Sequence, residues 1–381
     1  VVAAGGTAGH VVPAMAVAAE LRDSGAEVSF LGTRERIEAE LVPAAGYEID
    51  FLKVRGIDRR NPLRAAAAGL EALGAVGVAR RALRRRHADV VLGGGGYVAG
   101  VVGMAAVLSR TPLVLSEADS HLGLANRLLA RRARRVCLAF PIAGREGDPY
   151  LLTGRPVPDA VLRAERGAAR QRFEIAADAR CLLVMGGSQG ARSINLAAVE
   201  AFAEGDGERD FHVLHLAGSR DHAELERRLA AAPRAQRYTL LAYEPDLGDV
   251  LAACDLVLAR SGGSIFEVAA TGRPAILVPY PHATADHQSA NAAWMADAGA
   301  AEVIADEALD TKLLAERVGA LLGDAEGRGD AERLAAMASA SAALARPDAA
   351  RRIADEVLAA AAAAPANGSG APRESKRRAD G

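Results

Sequence analysis

The chain has 381 residues, half of them hydrophobic but only 4% aromatic, which is too long for one ordinary core and points to two domains. Its 46 Lys and Arg stand against 48 Asp and Glu, so a formal net charge of −2 supplies no bulk basic field for a nucleic-acid backbone; any polyanion contact must come from a local patch, and no nucleic-acid partner is expected. Three separated cysteines, Cys137, Cys181 and Cys254, make no C-x-x-C pair and have no histidine at ligand spacing, which reads as a reducing compartment without a metal site.

The chain opens on the strand-like run Val1 to Ala4, with no charged n-region, so no signal peptide is visible. Further apolar runs at Val28 to Leu31, Val90 to Leu92, Leu113 to Leu115 and Val136 to Ala139 alternate with Ala-rich helical segments, the grammar of a parallel sheet covered on both faces. Val90 to Leu108 carries no charge over about the length of a spanning helix, but its six glycines read as strand, loop and helix start. The segment Gly154 to Pro158 breaks regular structure, and a helical stretch is expected from Ala160 to Phe173. A second series then follows at Cys181 to Met185, His212 to Leu216, Leu256 to Leu258 and Ala275 to Val278. The expected plan is α/β, with a first doubly wound domain over 1–159, a second over 160–345, a closing helix over 346–364 and a disordered tail over 365–381.

Four Gly-rich loops follow predicted strands: Gly5 to His10, Gly93 to Gly100, Met185 to Arg192 and Ala259 to Glu267. Glycines let backbone N–H groups approach a ligand, and a following helix N-terminus favours negative charge there. In open α/β sheets, ligands bind beyond the carboxyl ends of the strands, where all four loops lie, so the pattern predicts one ligand held across a cleft. The loop at Gly5 lacks the Lys-Ser/Thr of a P-loop and the G-x-G-x-x-G spacing of a dinucleotide fold, which argues against a nucleotide-dependent oxidoreductase.

Six motifs in order, Gly5-Gly6-Thr7-Ala8-Gly9-His10, the Gly-Gly-Tyr-Val loop ending at Gly100, Glu117-Ala118-Asp119, Gly186 to Ala191, Arg260-Ser261-Gly262, and Asp286-His287-Gln288 with Asn291-Ala292, resemble the MurG family of peptidoglycan glycosyltransferases. The resemblance spans about residues 1 to 360. It implies a GT-B fold of two Rossmann-like doubly wound domains facing a cleft, with the last helix crossing back to the first domain. It also implies inverting transfer of N-acetylglucosamine from UDP to the C4 hydroxyl of an undecaprenyl-diphosphate-linked muramyl-pentapeptide, without metal or other cofactor. Transfer to another lipid or small molecule, and non-catalytic binding of a UDP-sugar, share the donor loops and remain alternatives.

Inversion needs a base for the acceptor hydroxyl and relief of charge on the departing UDP. His10 is the base candidate because imidazole titrates near neutral pH, and Asp119, standing where the family commonly has Asn, is its rival. By resemblance the donor is held by Thr7, Ala8, Gly9, Asp119, Gly186, Gly187, Ser188, Gln189, Arg260, Ser261, Gly262, Gly263, Ser264, Glu267, His287 and Gln288. Glu267 is assigned to the ribose, and Ser188 with Gly186, Gly187 and Gln189 to the diphosphate. Gly5, Gly6, Gly95, Gly96, Tyr97 and Glu117 are assigned to the acceptor. The chain lacks the Arg that often follows Pro-Val in this family, and Arg155, from another backbone position, is the electrostatic substitute. Between Leu63 and Arg86, the residues Leu63, Leu70, Leu73, Val76, Val78 and Leu83 interleave with Arg64, Arg80, Arg81, Arg84, Arg85 and Arg86. This basic amphipathic surface predicts peripheral docking on an anionic membrane, here the cytoplasmic face of the bacterial plasma membrane.

Overall fold

The computed structural model describes residues 1–54, 62–187, 190–205, 209–283, 286–323 and 328–363, the side chains of 62–70 apart. The expected disordered tail over 365–381 lies outside the described residues.

The first sheet has seven parallel strands: β1 (Val2–Ala3), β2 (Ser29–Gly32), β3 (Glu48–Phe51), β4 (Val91–Gly93), β5 (Leu113–Glu117), β6 (Arg135–Leu138) and β7 (Tyr150–Leu152). Their order is β3-β2-β1-β4-β5-β6-β7, with Val2 in register with Phe30 on one side and Leu92 on the other. The second sheet has six: β8 (Arg180–Met185), β9 (Phe211–Leu216), β10 (Tyr238–Leu241), β11 (Leu256–Ala259), β12 (Ala275–Leu277) and β13 (Ala301–Val303). Their order, β10-β9-β8-β11-β12-β13, repeats the same winding.

Winding in two directions from a central strand leaves a crevice where the direction reverses, between β1 and β4 in one sheet and β8 and β11 in the other. The four Gly-rich loops are the segments that leave those four strands. The strand order therefore brings them to the two switch points.

Both faces of each sheet are covered by apolar clusters, as parallel sheets require. Helix Ala349–Ala362 follows the second sheet in sequence but buries Ile353, Ala354 and Val357 in the first sheet's core, together with Val11 and Val17 of helix Ala8–Asp23. The expected helix from Ala160 to Phe173 is two short helices, Asp159–Leu162 and Arg166–Arg172. Between the domains, the ring of Phe140, just past β6, sits 4.8 Å from Phe266 and 5.3 Å from Trp294, both of the second domain. Among the described residues, no helix is long and apolar enough to cross a membrane; the uncharged stretch after Val90 is β4, a turn and helix Gly96–Ser109.

Candidate active site

His10 lies in the first turn of helix Ala8–Asp23, and its Nδ1 is 3.2 Å from the Thr7 hydroxyl. The loop after β4 closes over the ring: a Cβ at Gly95, which has φ of +99°, would stand 2.5 Å from His10 Cδ2. Only glycine gives both this backbone conformation and this approach. Tyr97 packs on Gly6 from the same side. The structure thus brings Gly5, Gly6, Gly95, Gly96 and Tyr97 together around His10.

Two buried carboxylates shape the loops beside His10. Glu38, which the sequence reading missed, accepts hydrogen bonds from Gly6 N at 3.1 Å and from Thr33 N and Oγ1 at 3.1 and 2.6 Å. Glu117 accepts from Asp119 N at 3.2 Å, Gly123 N at 2.8 Å and Asn126 Nδ2 at 2.9 Å. Burial raises the Glu117 carboxyl above its ordinary range, and those donors pull it down. Both its oxygens are engaged, so Glu117 orders the segment that carries Asp119. His10 is displaced below the usual imidazole range, first by burial and then by Arg155, against the upward influence of Asp119 and Glu38. It is therefore neutral at pH 7 and able to take a proton.

On the facing domain, Glu267 lies in helix Ile265–Ala270, and its Oε2 is closed to solvent with no hydrogen-bond partner. Burial raises its pKa, and Arg155 opposes that rise. An unpartnered buried carboxylate oxygen is costly, and a ribose diol is the kind of donor that would satisfy it. Ser261 is fully buried and donates to Gln288 O at 2.7 Å, while Gln288 Oε1 accepts from Tyr280 N at 2.9 Å, so Gln288 is oriented beside Gly262. His287 begins helix His287–Asp297, directly after Asp286 in a left-handed conformation. Gly263 and Ser264 complete the turn into helix Ile265–Ala270.

Arg260 is engaged within its own domain. Its guanidinium donates to Val278 O, Pro279 O and the Ser193 hydroxyl and pairs with Asp306 at 2.7 Å, so it clamps the loop from within. Arg192 is likewise held, by Glu224 at 2.7 Å. Gly186 and Gly187 leave β8 at the switch point ahead of helix Arg192–Val199, whereas Ser188 and Gln189 lie outside the described residues. No group of three or more His, Cys, Asp or Glu able to hold a metal ion occurs among the described residues.

Arg155 occupies the space between the two halves. Its Nη2 donates to Gly9 O at 2.7 Å and its Nη1 to Ala118 O at 3.1 Å, tying the loops of His10 and Asp119 together. The guanidinium stacks 5.8 Å from the Phe266 ring and abuts Gly263.

Residues 1–138 match the glycosyltransferase family 28 N-terminal domain and residues 181–353 its C-terminal domain. A protein of Moorella thermoacetica, named UDP-N-acetylglucosamine–N-acetylmuramyl-(pentapeptide) pyrophosphoryl-undecaprenol N-acetylglucosamine transferase, is 39% identical over 94% of this chain and 98% of its own length. A protein of the same name from Halorhodospira halophila is 41% identical over 93% and 96%. The crystal structure of Acinetobacter baumannii MurG superposes with a TM-score of 0.73 at 29% identity, covering 94% of this chain and 98% of that one. Two Rossmann-like domains facing a cleft are the GT-B arrangement. The chain belongs to the family 28 glycosyltransferases.

Proposed function

We propose that the protein transfers N-acetylglucosamine from UDP-N-acetylglucosamine to the C4 hydroxyl of an undecaprenyl-diphosphate-linked muramyl-pentapeptide, with inversion at the anomeric carbon. The observation that carries this reading is the meeting, around Arg155, of the His10 and Asp119 loops of one domain with the Gly263 turn of the other, which leads to Glu267 and its unpartnered Oε2. The names of the relatives, which match over nearly the whole chain, supply the donor and acceptor.

The acceptor hydroxyl gives its proton to His10 as its oxygen bonds to the anomeric carbon. Asp119 then stabilises the imidazolium that forms. The bond to the diphosphate oxygen breaks on the opposite face, and UDP leaves with the electron pair. Backbone amides after β8 and the start of helix Arg192–Val199 meet the leaving charge, with Ser188 and Gln189 as its remaining ligands. Glu267 holds the ribose, and Gln288 with His287 faces the sugar.

The lipid acceptor calls for a membrane-facing surface. Three successive helices of the first domain, Pro62–Arg85, Gly96–Ser109 and Leu124–Leu129, expose Leu73, Met104, Leu108 and Leu128, with Arg81, Arg84, Arg110, Arg127, Arg131 and Arg132 exposed on or beside them. This is an apolar surface with cations around it, suited to docking on anionic lipid without a span. Arg85 and Arg86 do not join it: Arg85 pairs with Asp50 at 2.8 Å, and Arg86 pairs with Asp50 and Glu48 of edge strand β3. The side chains of Leu63, Arg64 and Leu70 lie outside the described residues.

Initial rates with a donor and acceptor panel test the assignment. UDP-N-acetylglucosamine with a lipid-linked muramyl-pentapeptide analogue is expected to exceed UDP-glucose, or a simple alcohol acceptor, by at least about tenfold, the discrimination expected of a site built around specific hydrogen bonds. Equal rates across the panel would move the reading to a transferase with another acceptor.

A further inference from the structure

Arg155 is 5% exposed, and its guanidinium is held by two carbonyls from separate first-domain loops. One of those carbonyls is available for a reason written in the sequence. Gly9 O would ordinarily accept the helical N–H four residues on, but that residue is Pro13, which has none. Arg155 fills the vacancy at 2.7 Å. On its other side it meets the donor half: a Cβ placed on Gly263 would stand 2.6 Å from Arg155 Cζ and closer still to Nη2, and its three nearest atoms all belong to Arg155. Gly263 shows no left-handed φ, so the guanidinium, not the backbone, excludes a side chain there.

We infer that Arg155 is a cross-cleft positioning residue: its fork joins the His10 and Asp119 loops and, by packing on Gly263, sets their distance from the nucleotide-sugar loop. The inference rests on the transfer activity proposed above. It gives Arg155 a task different from substituting electrostatically for the Arg that often follows Pro-Val in the family. One N–H of each Nη group is held by a first-domain carbonyl, Nε is buried without a partner, and the guanidinium packs on the Gly263 backbone; as a positioning residue it is expected to affect the transfer step strongly and donor affinity little.

Arg155→Ala, Arg155→Lys, Gly263→Ala and the double variant Arg155→Ala/Gly263→Ala test this through kcat, the KM for UDP-N-acetylglucosamine and calorimetric binding of UDP. A misplaced base can cost on the order of 100-fold, so Arg155→Ala is expected to lose about that factor in kcat while UDP binding changes by less than about threefold. Lysine, a single point charge, restores only part of the loss. Gly263→Ala alone is expected to lower kcat about tenfold, yet to add less than about twofold to Arg155→Ala, because the clash disappears with the guanidinium. UDP binding that weakens as much as kcat falls would make Arg155 a donor ligand and overturn the inference. So would Gly263→Ala costing the same in both backgrounds. Should Arg155→Ala not fold, the lysine variant and Gly263→Ala keep the test. If the wild type transfers no sugar, the activity reading fails, and the same double-variant cycle in melting temperature still decides whether Arg155 and Gly263 are coupled.

Discussion

His10 accepts a proton only when neutral, and its environment fixes where that form begins. Burial is the largest influence and lowers the pKa; Arg155 lowers it further, while Asp119 and Glu38 raise it. A lowered pKa extends the neutral form to more acid pH, so the acid limb of kcat/KM is expected below about 6.5, the unperturbed histidine value. Asp119→Asn removes a carboxylate that favours the imidazolium and should move the limb to still lower pH. Arg155→Ala removes an opposing cation and should move it up. A limb unmoved in both variants would assign the titration to another group. Glu267→Gln tests the donor side: losing a charged acceptor for the ribose diol should weaken UDP binding by roughly tenfold or more, and remove any preference over 2′-deoxy-UDP. Unchanged calorimetric affinity would count against Glu267 as the ribose ligand. At this scale His10 and Glu267 stood out as candidates because each closes a glycine-rich loop, and Asp119 because the Glu117-Ala118-Asp119 motif carries the family resemblance. Glu38 did not, since the Gly6 amide through which it reaches the His10 loop is 32 residues away. The contacts of Arg260 were not readable either, because its partners Ser193 and Asp306 are also remote in sequence.

Elements divide the same way. The apolar runs located nine of the strands, all of them interior to the sheets. The four without a run, β3, β7, β10 and β13, are the four sheet edges. An edge strand is neither paired nor fully covered on one side, so it tolerates Glu48, Asp50 and Glu302, and its hydrophobic run is broken. Polar edges also recruit partners: Glu48 and Asp50 take Arg85 and Arg86 out of the basic surface. Charge reversal at Arg81 and Arg84 is therefore expected to weaken binding to anionic vesicles about tenfold or more, at roughly 1 kcal/mol per cation removed, while UDP binding is kept. The same change at Arg85 should alter vesicle binding less. Equal effects at both places would contradict the assignment of the surface. The closing helix makes a separate prediction. Ile353 is fully buried against the first domain, so Ile353→Ala should destabilise that domain by about 2–5 kcal/mol, measured by denaturant unfolding. A loss confined to the second domain would place the helix elsewhere.

Across the whole molecule, two windings of similar order each leave one crevice, and three devices hold the crevices face to face: the Phe140, Phe266 and Trp294 cluster, the closing helix and Arg155. Doubly wound domains were readable from strand–helix alternation, because parallel strands buried on both faces announce themselves as apolar runs. The contacts that set one domain against the other were not readable, since residues as distant as Arg155 and Gly263 meet only when the two folded domains face each other. The central claim is that this cleft makes a glycosidic bond with inversion. Incubation with UDP-N-acetylglucosamine and vesicles carrying a lipid-linked muramyl-pentapeptide, with NMR of the new anomeric proton, tests it directly. The account predicts one β-linked N-acetylglucosamine at C4 for each UDP released; an α-linked product, or UDP-sugar bound without any transfer, would contradict it.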